Sequence, residues 1–236
     1  SDGGTCVYNF YGDRTGPCRV PRRLAGSRPL VYTRAVQEGV QKKAVTTAAG
    51  VGQGVVGRYG AGANAVEAAL CCPVDYDPRY LKVIPQEVLD RDYGCGDPST
   101  HLLEGETVLD LGSGGGKIAF IASQVVGASG KVIGVDMTDD MLALANGAKP
   151  KVAEAIGYDN VEFRKGKIQD MRLDVAAADA YLAAHPIKDF DSLTAFEAYV
   201  QKQKLQNPLV ADASIDSVVS NCVLNLVAHD QKPALF

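Results

Sequence analysis

The stretch Val108–Lys117, VLDLGSGGGK, constrains this 236-residue chain more than any other. Val108, Leu109 and Leu111 form an apolar run suited to a buried strand. Gly112, Gly114 and Gly116 follow as a turn, and Lys117–Val126 is apolar enough for a buried helix. After the turn Gly127–Gly130, a second strand is expected over Lys131–Asp136, its terminal acid twenty residues beyond Gly116. Strand, glycine turn, helix and acid-tipped strand make a nucleotide-binding βαβ unit. Glycines let a ligand approach the backbone, the helix start offers free N–H groups, and the second acid accepts ribose hydroxyls. The plainer alternative is a glycine turn that only packs a helix on a sheet.

The form of the turn narrows the ligand. Dinucleotide enzymes use G-x-G-x-x-G, whose third glycine would fall on Lys117. Here the pattern is G-x-G-x-G, preceded by the acid Asp110. It resembles motif I of class I S-adenosylmethionine (SAM) methyltransferases. A carboxylate at the strand end suits a sulfonium and an ammonium, and would repel a diphosphate. The resemblance implies an α/β, Rossmann-like class I methyltransferase fold with SAM as cofactor. Such a domain has seven strands in the order 3-2-1-4-5-7-6. The chain holds sequence for the first four, so the fold is expected to be truncated after the fourth strand, with that edge bare.

Around this centre the chain divides into three parts. Residues 1–34 are expected to be a flexible basic arm; from Arg14 to Lys43 there are eight basic residues and one acid, Glu38. Such an arm is a solvated tail, a remnant of organellar targeting, or a wrap around a neighbouring subunit. Residues 35–105 read as a helical N-terminal extension with cysteine loops covering the nucleotide-binding core. Short helices are expected at Ala35–Ala49 and Ala63–Leu70, and one begins at Pro85. Residues 106–236 are the SAM-binding domain. A helix starting at Thr138 or Asp139 is expected to continue through Pro150 to Ile156, followed by strands at Val161–Lys165 and Ile215–Val219. Between these strands, 172–212 is expected to be a helical insertion covering one side of the cleft, with helices at Val175–Ala184 and Ser192–Leu205, the second capped by Asp191.

Composition bounds the partners. Net charge is −4, which makes no electrostatic case for nucleic acid. No apolar run approaches the ~18 residues that span a membrane. Six cysteines, irregularly spaced, read as thiols in a reducing compartment, cytoplasmic or organellar, a plastid included. His101, His185 and His229 lack metal-ligand spacing.

Four segments together, Tyr93-Gly-Cys-Gly96, VLDLGSGGGK, KVIGVDMT at Lys131–Thr138 and SNCVLNL at Ser220–Leu226, resemble the arsenite methyltransferases. The resemblance covers about Ile84 to Phe236 and implies roles for single positions. Asp110 and the Gly112, Gly114 and Gly116 turn would hold the methionine part of SAM, with Tyr93 and Asn221 beside it. Asp136 would take the ribose, Met137 the adenine face, and Ile168 and Gln169 the adenine edge. Cys95 and Cys222 would be catalytic, binding arsenic(III) as thiolates, with Cys72 or Cys71 as a third ligand. Taken alone, either cysteine is as readily a small buried hydrophobe. The reading is a SAM-dependent methyltransferase acting on a small thiophilic molecule. Two alternatives stand beside it: an enzyme for an ordinary N, O or C nucleophile, and a methyltransferase-like structural or assembly subunit. A protein partner could cover the fourth-strand edge or bind the basic arm.

Overall fold

The computed structural model describes residues 6–10, 30–33, 53, 54, 57, 59, 60, 62, 76–92, 96–228 and 231. In chain order the strands and helices are β1 (Cys6–Phe10), β2 (Leu30–Thr33), α1 (Pro78–Leu81), α2 (Gln86–Leu89), β3 (Thr107–Leu111), α3 (Lys117–Val126), β4 (Lys131–Asp136), α4 (Asp139–Ile156), β5 (Val161–Lys165), α5 (Val175–Ala184), α6 (Phe190–Gln206) and β6 (Ser217–Asn221). Single 3-10 turns occupy Pro98–His101 and Leu224–Leu226. The six strands form one parallel sheet in the order β1-β2-β6-β3-β4-β5.

Strand alternation sends successive side chains to opposite faces. Val108, Val132, Val161 and Val219 point to one face. There they meet Ile118, Phe120, Ile121 and Val126 of α3, Ala148 and Val152 of α4, and Val88 of α2. Leu109, Leu111, Ile133 and Val135 point to the other face, packed with Leu209, Val210 and Leu224. Asp110 has the parity of Val108, so the acid lies on the α3 face while its neighbours are core.

Helix α4 runs unbroken through Pro150, as expected. Two boundaries differ from the sequence reading. The strand expected at Ile215–Val219 is β6, Ser217–Asn221. Its register on β3 pairs Val108 with Ser217 and Leu111 with Ser220. Asp216 lies before it and closes the end of the ladder, its carboxylate accepting the Thr107 N–H at 2.8 Å. The helix expected at Ser192 starts at Phe190, capped by Asp189 and not by Asp191. Asp189 accepts the Ser192 N–H while the Ser192 hydroxyl accepts the Asp189 N–H, a reciprocal cap that satisfies two orphan donors.

Two further expectations are corrected. The β6 edge is not bare: β2 pairs with β6 from Val31↔Val219 to Thr33↔Asn221, and both outer strands come from the chain's own N-terminal segment. The 172–212 segment forms a helical hairpin, but none of its residues lines the cleft. Lys165 bonds Asp179 at 2.8 Å and Lys204 bonds Asp170, which hold the hairpin at the outer β5 side of the sheet. The expected helices at Ala35–Ala49 and Ala63–Leu70 and residues Cys71, Cys72, Tyr93 and Cys95 lie outside the described residues.

Candidate methyl-donor cleft

The strands' C-terminal ends open onto a cleft of about 800 Å³. Its floor is the turn between β3 and α3. Gly112 has φ +72°, a left-handed backbone that costs glycine nothing. A Cβ there would lie 2.7 Å from Val223, so a side chain would collide with the segment that follows β6. Gly116, at φ +91°, does not line the cleft. A Cβ on it would meet the Phe163 ring at 2.6 Å, so this glycine serves the close packing of α3 on β5.

The cleft is acidic at its closed end. Asp110 is buried, and its Oδ2 has no hydrogen-bond partner among the described residues. Burial pushes its carboxyl up to about 8, helped by the neighbouring charges of Asp136 and Asp92. Ser113, also buried in the cleft wall, has a hydroxyl without a partner among the described residues. Asp136 accepts the N–H of Gly114 at 2.9 Å on one oxygen and the N–H of Thr138 at 2.8 Å on the other. The Thr138 hydroxyl and the Met137 N–H also bond this carboxylate. Burial nevertheless raises its carboxyl above the ordinary range, against those bonds. A buried carboxylate oxygen with nothing to bond costs free energy until a donor or a cation arrives. That donor set fits the sulfonium and ammonium of SAM.

Of the predicted residues, the cleft brings together Asp110, Gly112, Gly114, Asp136, Met137, Ile168, Gln169, Asn221 and Cys222. Gln169 bonds the Gln231 side chain at 3.0 Å across the opening. Cys222 is half-buried, a free thiol, and sits at φ +63° where the chain leaves β6. A non-glycine residue in that region is strained unless the surroundings impose it. Among the described residues, no cluster of three or more His, Cys, Asp or Glu side chains could hold a metal ion.

The sequence reading missed a second layer. Lys117, the first residue of α3, is buried; its Nζ lies 2.8 Å from Asp92 and 3.6 Å above the Tyr76 ring. A cation at a helix N-terminus opposes the helix dipole. A lysine opening an otherwise apolar helix was therefore the available sign that a carboxylate waits nearby. Gln53, Gly57 and Tyr59, from a glycine-rich stretch without clear periodicity, also line the cleft.

Residues 102–234 match the family model of a methyltransferase domain. Over 165 residues the chain is 38% identical to an arsenite methyltransferase of Aquipseudomonas alcaligenes, covering 68% of this chain and 38% of that protein. Over 160 residues it is 32% identical to the arsenite methyltransferase of Rattus norvegicus, covering 67% of this chain and 34% of that protein. A solved structure, an arsenic(III) S-adenosylmethionine methyltransferase from Chlamydomonas reinhardtii, shares 30% identity at a TM-score of 0.45, covering 68% of this chain and 42% of that one. The chain thus spans well under half the length of these relatives. No helix among the described residues is long and apolar enough to cross a membrane. With more than half its residues matching the family model and the glycine turn of β3 at the floor of its cleft, the chain belongs to the methyltransferase domain family.

Proposed function

We propose that this chain carries the donor-binding part of a SAM-dependent methyltransferase whose methyl acceptor is trivalent arsenic held on cysteine thiolates. The observation that carries the donor half is the oxygen of buried Asp110 that has no partner among the described residues, at the closed end of the cleft. When bound, SAM supplies a methyl group on a cationic sulfur. Asp136, with Asp110 once the arriving cation ionises it, supplies the negative field that such a cation needs, and the apolar walls around Ile118 and Met141 strengthen that field by excluding water. Transfer between two positioned groups needs little acid or base, so the chain's own contribution is binding and orientation.

The acceptor half is supported by Cys222, a free thiol in the cleft wall, and by the chain's similarity to arsenite methyltransferases. Thiolates are the ligands a soft trivalent centre prefers. Cys95 is proposed as its companion from the Tyr93-Gly-Cys-Gly96 segment.

The test is Cys222→Ser in the full-length protein, assayed with SAM and arsenite. Methylation of arsenite is expected to fall at least about 100-fold, the scale on which misplacing a reacting atom acts, while SAM still binds. Wild-type turnover in that variant would remove the thiolate from the reaction.

A further inference from the structure

Tyr76 joins two pieces of the cleft that the sequence keeps far apart. Its hydroxyl donates to the Gly96 carbonyl at 3.0 Å. The Asn221 side chain, at the tip of β6, donates to the same carbonyl at 2.8 Å and lies 3.5 Å from the Tyr76 oxygen. Tyr76 and Asn221 are 7% and 8% exposed, so these bonds form away from water. The ring of Tyr76 lies under the Lys117 ammonium, which is itself paired with Asp92. Asp92 and Gly96 bracket the segment Tyr93–Cys95 in the chain. Both brackets are therefore tied, one by Lys117 and one by Tyr76 with Asn221, and Lys117 stacked on Tyr76 links the ties. The residue after Asn221 is Cys222, at φ +63°.

We infer that Tyr76 is a positioning residue: its hydroxyl and the Asn221 amide clamp the Gly96 carbonyl to the tip of β6 and so fix the backbone that presents the Cys222 thiol to the cleft. The inference rests on the cleft's proposed reaction only for what the thiol receives. A carbonyl shared by two donors is a geometric lock, since moving either donor breaks a buried bond that water does not replace. Tyr76 serves as a donor throughout the working pH range, because burial and the Asp92 charge push its phenol well above the ordinary tyrosine value. The left-handed turn at Cys222 is the kind of strained conformation that persists only where its surroundings over-determine it.

Tyr76→Phe in the full-length protein tests this, since it keeps the ring under Lys117 and removes only the hydroxyl. Two readouts are taken beside SAM titration. The KM for arsenite is expected to rise about fivefold, the scale of one neutral hydrogen bond, with the SAM Kd unchanged within about twofold. Alkylation of Cys222 by iodoacetamide, followed by mass spectrometry, is expected to speed up several-fold. Asn221→Asp sets a carboxylate against the Gly96 carbonyl and is expected to speed the same alkylation further. Cys222 alkylation at the wild-type rate in both variants would overturn the inference, as would an equal loss of SAM and arsenite affinity. If the unmodified protein does not methylate arsenite, the proposed reaction fails, and the alkylation rates still decide the role of Tyr76.

Discussion

At the scale of single residues, the cleft concentrates carboxyl groups where a folded protein would ordinarily avoid burying them. Asp110 is held neutral up to about pH 8 by burial and by the carboxylates of Asp136 and Asp92. Its folded value lies above its unfolded one, so the folded state binds the extra proton. Stability is therefore full below about pH 4 and declines as pH rises toward 8. Asp110→Asn removes that decline. At pH 8 this variant is expected to melt ~3 °C above wild type, about 1 kcal/mol for a chain of this size, by calorimetry. It is also expected to bind SAM more weakly. In wild type, SAM affinity should strengthen between pH 6 and 8 as the acid ionises against a cation; in Asp110→Asn, titration calorimetry should find it flat. The acid itself was legible in the sequence, from its place before the glycines. That its Oδ2 lacks a partner among the described residues was not, because pairings such as Lys117 with Asp92 are made across 25 residues of sequence.

At the scale of elements, the βαβ unit explains itself almost wholly from local pattern. The strands Thr107–Leu111, Lys131–Asp136 and Val161–Lys165 and the helix Lys117–Val126 stand where periodicity and glycine punctuation place them. Yet the three turn glycines do different things. Gly112 clears Val223, Gly114 gives its N–H to Asp136, and Gly116 clears Phe163. Gly116→Ala combines a strained φ with overlap on an aromatic ring, itself edge-on to buried Phe120. It is expected to cost about 2–4 kcal/mol in denaturant unfolding, while the SAM site is affected only through α3. A loss below about 0.5 kcal/mol would mean that Phe163 yields without cost. The β6 boundary was misplaced by two residues because Ile215 and Val218 extend the apolar run equally well; only pairing with β3 chooses the register.

At the scale of the whole molecule, the sheet and the α5–α6 hairpin are separable in function. The hairpin's base is closed by backbone bonds, Leu209 N–H to the Arg172 carbonyl at 3.2 Å and Val210 N–H to the Met171 carbonyl at 2.9 Å. Its outer face leaves Phe190 79% and Leu205 74% exposed. Replacing 174–207 by a short Gly-Ser linker joins ends that already hydrogen-bond. SAM affinity is expected to change by less than about twofold in titration, because no hairpin residue lines the cleft. A larger loss would place the hairpin in the donor site after all. The sequence by itself determined the parallel α/β unit, the donor turn with its two acids, and the methyltransferase family, because these depend on short-range periodicity and on residues within one βαβ span. Tertiary structure alone decided which strands flank β6, where the hairpin sits, and that Tyr76, Asn221 and Gly96 meet. Those outcomes rest on pairings between distant parts of the chain, 145 positions for Tyr76 with Asn221 and more for Val31 with Val219, where the free energy of contact depends on packing geometry that no local pattern encodes.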